Sequence, residues 1–102
     1  MAINPMFIFL DDLRAPPQGA ILCRTAEEAI AWLETGQVTR ISFDHDLGTA
    51  LTGYDVAKTI EAWVAEGKIK IPDWEIHSAN PVGRSNIQAA MQSALRWASK
   101  IM

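Results

Sequence analysis

The chain lacks the material for several whole classes of protein. Its one cysteine, Cys23, has no second thiol with which to form an internal disulfide. No secretory apolar segment with a cleavage site is visible, so a reducing cytoplasm is the expected compartment. No apolar run approaches the ~20 residues that a membrane helix needs, so no membrane association is expected. Positive charge is also short. Nine Lys and Arg against twelve Asp and Glu leave a net charge of −3, whereas a duplex-binding surface needs a basic face. Duplex DNA is therefore not an expected partner; a small nucleotide or a phosphorylated RNA end remains compatible. The Walker loop, G-x-G-x-x-G, the G-x-S-x-G elbow, the H-E-x-x-H zinc helix and the Cys₂His₂ pattern are all missing, which removes the common signatures of nucleotide-loop, hydrolase-elbow and zinc chemistry. There is no internal repeat or low-complexity tract.

What remains is ordinary globular material. Of 102 residues, 49% are hydrophobic and 21% charged, enough apolar area for one domain over residues 1–102. Met6–Leu10 is a continuous apolar run, as in a strand covered on both faces. Ile21–Cys23 reads as a second strand. Thr25 with Glu28 three residues on forms a capping box, and Ala26, Ala29, Ile30 and Leu33 follow at helical spacing up to Gly36. Arg40–Phe43 reads as a third strand. Thr52 and Asp55 open a second helix carrying Val56, Ile60, Trp63 and Val64. Trp74–Ile76 reads as a short fourth strand, placed at a sheet edge by Pro72. Ile87, Ala90, Met91, Ala94, Leu95 and Ala98 form the stripe of a long last helix. Strands alternating with helices indicate an α/β domain with a mostly parallel sheet. The first two strands have no helix between them; a proline-bearing loop, Asp12–Ile21, must make that crossing. The four tryptophans are scattered through the elements, which suits packing better than a base-stacking platform.

In an open parallel sheet, ligands bind outside the carboxyl ends of the strands. The polar clusters fall there: Asp11 and Asp12 after the first strand, Asp44, His45 and Asp46 after the third, His77, Ser78 and Asn80 after the fourth. Each has an everyday structural use, since Asp shapes turns, Asn and Ser cap helices, and a histidine is often just a satisfied packing residue. Their convergence on one rim favours chemistry. Neighbouring carboxylates repel and call for a divalent cation, a shared proton or an arginine. Two imidazoles beside a phosphate can serve as base and acid. Arg84, near the start of the last helix, and Arg14, just past the first acidic pair, offer forked cations matched to phosphate oxygens. The N-terminus of the last helix adds free N–H groups. Ser78 is a hydrogen-bond donor to phosphate rather than a nucleophile.

Four motifs in order, Phe9-Leu10-Asp11-Asp12-Leu13-Arg14-Ala15-Pro16, Ser42-Phe43-Asp44-His45-Asp46-Leu47-Gly48, Gly53-Tyr54-Asp55 and His77-Ser78-Ala79-Asn80-Pro81-Val82-Gly83 followed by Asn86, resemble the cyclic-phosphate-processing receiver-like family, related to response-regulator receiver domains. The resemblance covers nearly the whole chain. It implies a truncated flavodoxin-like, receiver-like three-layer sandwich of about four parallel strands in the order 2-1-3-4 with about three helices. It also implies an acidic pair, Asp11 and Asp12, that joins Asp44 around a divalent ion such as Mg²⁺, with Ser78 as the hydroxyl of the fourth strand. Departures from a receiver are the loop in place of the first helix, the two added histidines, and the lack of a match to the fifth-strand lysine. They speak against phosphorelay signalling.

The expected function is a phosphoesterase that processes cyclic phosphates on nucleotides or RNA ends. Asp11, Asp12 and Asp44 would hold the metal. His45, His77, Asp44 and Asp46 would carry the catalysis, and Arg14, Ser78, Asn80 and Arg84 would bind the substrate. Two alternatives use the same residues: a non-catalytic module that sequesters a signalling nucleotide, and a degenerate receiver that works through protein–protein contacts. Nothing in the sequence fixes an oligomeric state.

Overall fold

The computed structural model describes residues 6–101; Met1–Pro5 and Met102 of the expected 1–102 domain lie outside the described residues. In chain order the elements are β1 (Met6–Leu10), β2 (Ala20–Cys23), α1 (Ala26–Glu34), β3 (Val38–Phe43), α2 (Gly53–Ala65), β4 (Asp73–Ile76) and α3 (Pro81–Ile101). The four strands pair in parallel in the order β2-β1-β3-β4, so all their carboxyl ends share one rim. The chain has the strand order and the three helices of a truncated receiver-like fold.

Local chemistry sets the element ends. Thr25 caps α1 by accepting the Glu28 N–H at 3.2 Å, and the Glu28 carboxylate accepts from the Thr25 hydroxyl rather than from its backbone N–H, so the expected box is half made. At α2 the reciprocal bond is present, with Thr52 N–H donating to Asp55 Oδ2 at 2.7 Å. Strand β3 starts two residues before the expected Arg40. The register slips between Met6, opposite Val38, and Phe7, opposite Arg40. The extra residue, Thr39, breaks the alternation and hides the strand start from pattern reading. Leu95 also departs from expectation: it is 52% exposed. It sits roughly 80° round the helix from Ile87 at 3.6 residues per turn, outside the buried arc of Ile87, Met91 and Ala94.

The register puts alternate residues of every strand on opposite faces. Ile8, Leu10, Cys23, Ile41 and Phe43 point to one face and are fully buried beneath Leu33 of α1, Val56 and Ile60 of α2, and Ile87 and Met91 of α3. The three helices lie side by side on that face with α2 in the middle. Phe7, Phe9, Leu22, Arg40, Ser42 and Glu75 point to the other face and take no part in the core cluster. Among the described residues no helix covers this second face, and the domain is a slab of 36 × 34 × 19 Å. Of the three layers of a full receiver sandwich, the described residues supply two. The continuous apolar run of β1 is therefore not explained by helices on both sides. Its second face is covered by side chains: the Arg40 guanidinium lies 4.4 Å over the Phe7 ring, and the His77 ring stacks on Phe9. Among the described residues no helix is long and apolar enough to cross a membrane.

Candidate functional site at the carboxyl rim

The loop 11–19 takes the place of a crossover helix and is organised by Asp11. The Asp11 Oδ1 accepts the N–H groups of Leu13 and Arg14, both at 2.8 Å, a local carboxylate turn. Its backbone N–H donates to the Cys23 carbonyl at 3.0 Å. From the end of β2, Arg24 reaches across and donates to the carbonyls of Asp11 at 3.2 Å and Arg14 at 3.0 Å. Burial raises the Asp11 pKa, but the two backbone donors and His77 outweigh it and hold the carboxyl below its ordinary range.

On β3, the Asp44 N–H donates to the Leu10 carbonyl at 2.8 Å, which registers the two acidic strand ends against each other. The first turn of α2 seats directly on this strand end. Gly53 N–H donates to the His45 carbonyl at 2.9 Å, and a Cβ on Gly53 would collide with the Asp44 carbonyl. Asp11, Asp12 and Asp44 each place a carboxylate oxygen within 4.8 Å of the others. Their chemistry fits a hard divalent cation, which takes one or two carboxylates plus water or phosphate oxygens. Asp12 has no hydrogen-bond partner among the described residues, Asp44 uses only Oδ1, for the His45 N–H at 2.8 Å, and Asp11 has most of its lone pairs taken. Asp12 and Asp44 are the freer donors of this acidic triad.

An open cleft of about 460 Å³ lies over this triad, lined by Asp11, Asp12, Arg14, Asp44, Asp46 and Ser78, with Leu13, Gly48 and Ala79 completing the wall. Arg14 is its cation, mostly exposed, with Nε 3.9 Å from Asp11 Oδ2. A larger hollow at the opposite end of the sheet is lined by Val64, Ile69, Ile71 and Ala98 with two lysines and contains no carboxylate or imidazole.

The two histidines are placed differently. His77 continues β4 and has both ring nitrogens engaged: Nδ1 lies 2.7 Å from Ser42 Oγ and Nε2 lies 3.0 Å from Asp11 Oδ2. Its ring centroid is 4.5 Å from that of Phe9, the planes within 4°. His45 has Nδ1 bonded to Asp46 Oδ1 at 2.9 Å, and no described group bonds its Nε2. Its ring occupies the slot left by the missing side chain of Gly83 in the first turn of α3; a Cβ there would overlap the imidazole. Asp46, 67% exposed, also accepts from Asn80 Nδ2 at 3.3 Å. The bonds from His45 and Asn80 hold its carboxyl below the ordinary range.

Three of the expected substrate binders are turned to structural work. Asn80 caps α3 by accepting the Gly83 N–H at 3.0 Å. Ser78, buried, accepts the Asn80 N–H at 3.1 Å and still lines the cleft. Arg84 lies outside the cleft and donates through Nη1 to the carbonyls of Ile76 and Ser78, at 3.0 and 3.1 Å. The α3 N-terminus is largely closed to an anion as well. Pro81 has no N–H, and Gly83 and Arg84 donate to Asn80, leaving Val82. Ser42 and Gly83 stand in the quoted motifs without an expected role, and Arg24 stands outside them. A hydroxyl inside the apolar Ile41–Phe43 run and a cation immediately after β2 were the available signals for Ser42 and Arg24; the close approach at Gly83 had none.

The family model of the cyclic-phosphate processing receiver domain matches residues 6–93. No curated protein and no solved structure matches the chain. The matched span runs from the first residue of β1 into α3 and contains every rim residue described above, so the chain belongs to the cyclic-phosphate processing receiver domain family.

Proposed function

We propose that the protein is a metal-assisted phosphoesterase that opens a cyclic phosphate on a small nucleotide or an RNA end. The observation that carries the reading is the acidic triad of Asp11, Asp12 and Asp44, within 4.8 Å of one another beneath a cleft that also presents Arg14. The family description supplies the substrate chemistry. Asp12 and Asp44, with Asp11 behind them, would hold Mg²⁺ or a related divalent ion. When bound, that ion supplies positive charge to a phosphate that develops negative charge as its ester bond breaks.

The remaining work belongs to side chains. Arg14 pairs with the non-bridging phosphate oxygens. The Ser78 hydroxyl, still free to donate, completes the phosphate contact. The Asp46 carboxylate accepts the Nδ1–H of His45 and thereby keeps the Nε2 lone pair as the proton acceptor for an attacking water. Asn80 holds Asp46 in place from the cap of α3.

The test is incubation of the pure protein with 2′,3′-cyclic nucleotides and Mg²⁺ or Mn²⁺. The expected product is the linear monophosphate, with turnover abolished by a chelator. Recovery of intact cyclic nucleotide from denatured, ligand-loaded protein would overturn hydrolysis in favour of a sequestering module. A protein that neither binds nor cleaves any cyclic phosphate would leave the degenerate-receiver reading.

A further inference from the structure

The Ser42–His77–Asp11 chain is not needed by the reading above, and its geometry assigns it a separate task. We infer that His77 is a positioning residue, not a proton shuttle: its ring, held by Ser42 at Nδ1, donates through Nε2–H to Asp11 and so orients that carboxylate toward a bound divalent cation. The inference rests on the metal-assisted reading only for that last step. An ionised carboxylate can only accept, so the neutral ring meets Asp11 Oδ2 with Nε2–H. Nδ1 is then a bare acceptor, and the buried Ser42 hydroxyl, 2.7 Å away, donates to it. Both nitrogens are used within the protein, and the face of the ring is held flat against Phe9. Exchanging a proton with substrate would break one of these bonds, whereas keeping them fixes which Asp11 lone pair remains available. Oδ1 is locked by two backbone donors on its other side, so the carboxylate has no rotational freedom left. This is the arrangement by which outer groups orient metal ligands.

Two measurements test it. Nitrogen-15 spectra of the protein without metal report the tautomer directly: Nε2–H with bare Nδ1 is expected at His77, because the Asp11 carboxylate can only accept. A Nδ1–H tautomer in the unmodified protein overturns the inference. Calorimetric titration with Mn²⁺ alone reads the consequence. His77→Ala weakens Mn²⁺ binding by about tenfold or more, and His77→Gln, whose amide N–H can still donate to Asp11, recovers most of that loss. A glutamine variant as weak as the alanine variant, with both still melting cooperatively, overturns the positioning role. If the unmodified protein takes up no Mn²⁺, the metal-assisted reading fails, while the tautomer still decides whether Ser42 and His77 orient Asp11.

Discussion

The two faces of the sheet are built from the same four strands yet differ in kind. On the helix side, Ile8, Leu10, Ile41 and Phe43 are sealed from water and make the core. One residue along, on the other side, Phe7 lies under a guanidinium, Phe9 under an imidazole, and Ser42 hydrogen-bonds that imidazole. The pleat separates the two jobs at no cost in chain length. The helix side supplies the folding free energy. The open side carries polar side chains that lead up to the rim and hold Asp11 from below.

That contrast can be broken in graded steps. Ile41→Ala, on the sealed side, has the largest expected effect: a loss of about 2–5 kcal/mol for a fully buried aliphatic residue, read as the midpoint of urea unfolding. Gly83→Ala comes next. Its methyl would enter the imidazole of His45, a clash with the base of that side chain rather than its mobile end. Overpacking of this kind costs about 1–3 kcal/mol, partly offset by the helix propensity of alanine at about 1 kcal/mol. Turnover of a cyclic nucleotide should fall far more than stability does. Phe7→Ala, on the open side, is expected to cost about 1 kcal/mol, from partial apolar exposure and the loss of one cation–π contact. A cost equal to that of Ile41→Ala would show the two faces to be energetically alike and end the comparison.

The smallest step is Glu75→Ala, which breaks one ion pair and leaves the contact of Arg40 with Phe7 in place. The Arg40–Glu75 pair is close, at 2.6 Å, but both side chains are about half exposed, and such pairs contribute about 0–1 kcal/mol. Acid sharpens the picture at the rim. The Asp11 and Asp46 carboxyls are held below their ordinary range in the folded protein, and so is Asp55 at the α2 cap. The unfolded chain therefore takes up protons first as the pH falls. The stability these groups contribute is fully present above about pH 4 and drains away below it. Melting temperatures measured from pH 6 down to pH 2 should be flat and then fall, and Asp55→Asn should make the fall shallower.

Much of this was legible in the residues themselves, for physical reasons. The helical stripe of Ile87–Ala94 follows from burial on one side, and the short unbroken apolar run Met6–Leu10 marks a strand. Asp11, Asp12 and Asp44 could be placed together because parallel strands end on a common rim. What stayed hidden depended on register and close approach. A bulge at Thr39 masked two residues of β3. Whether Arg84 met the cleft or the carbonyls of Ile76 and Ser78 depended on the path of one turn. His77 directly follows β4 whereas His45 stands two residues past β3, and among the described residues only His77 has both ring nitrogens bonded, one of them to a strand hydroxyl.

Arg24 has a mechanical consequence. It grows from the end of β2, an outer strand of the sheet among the described residues, and clasps two carbonyls of the loop that carries Asp11 and Arg14. Outer strands fray independently in most sheets; here fraying of that flank and loosening of the carboxylates are yoked into a single event. Whatever settles onto the acidic triad therefore also slows amide exchange along Ala20–Cys23, at a distance from anything it touches.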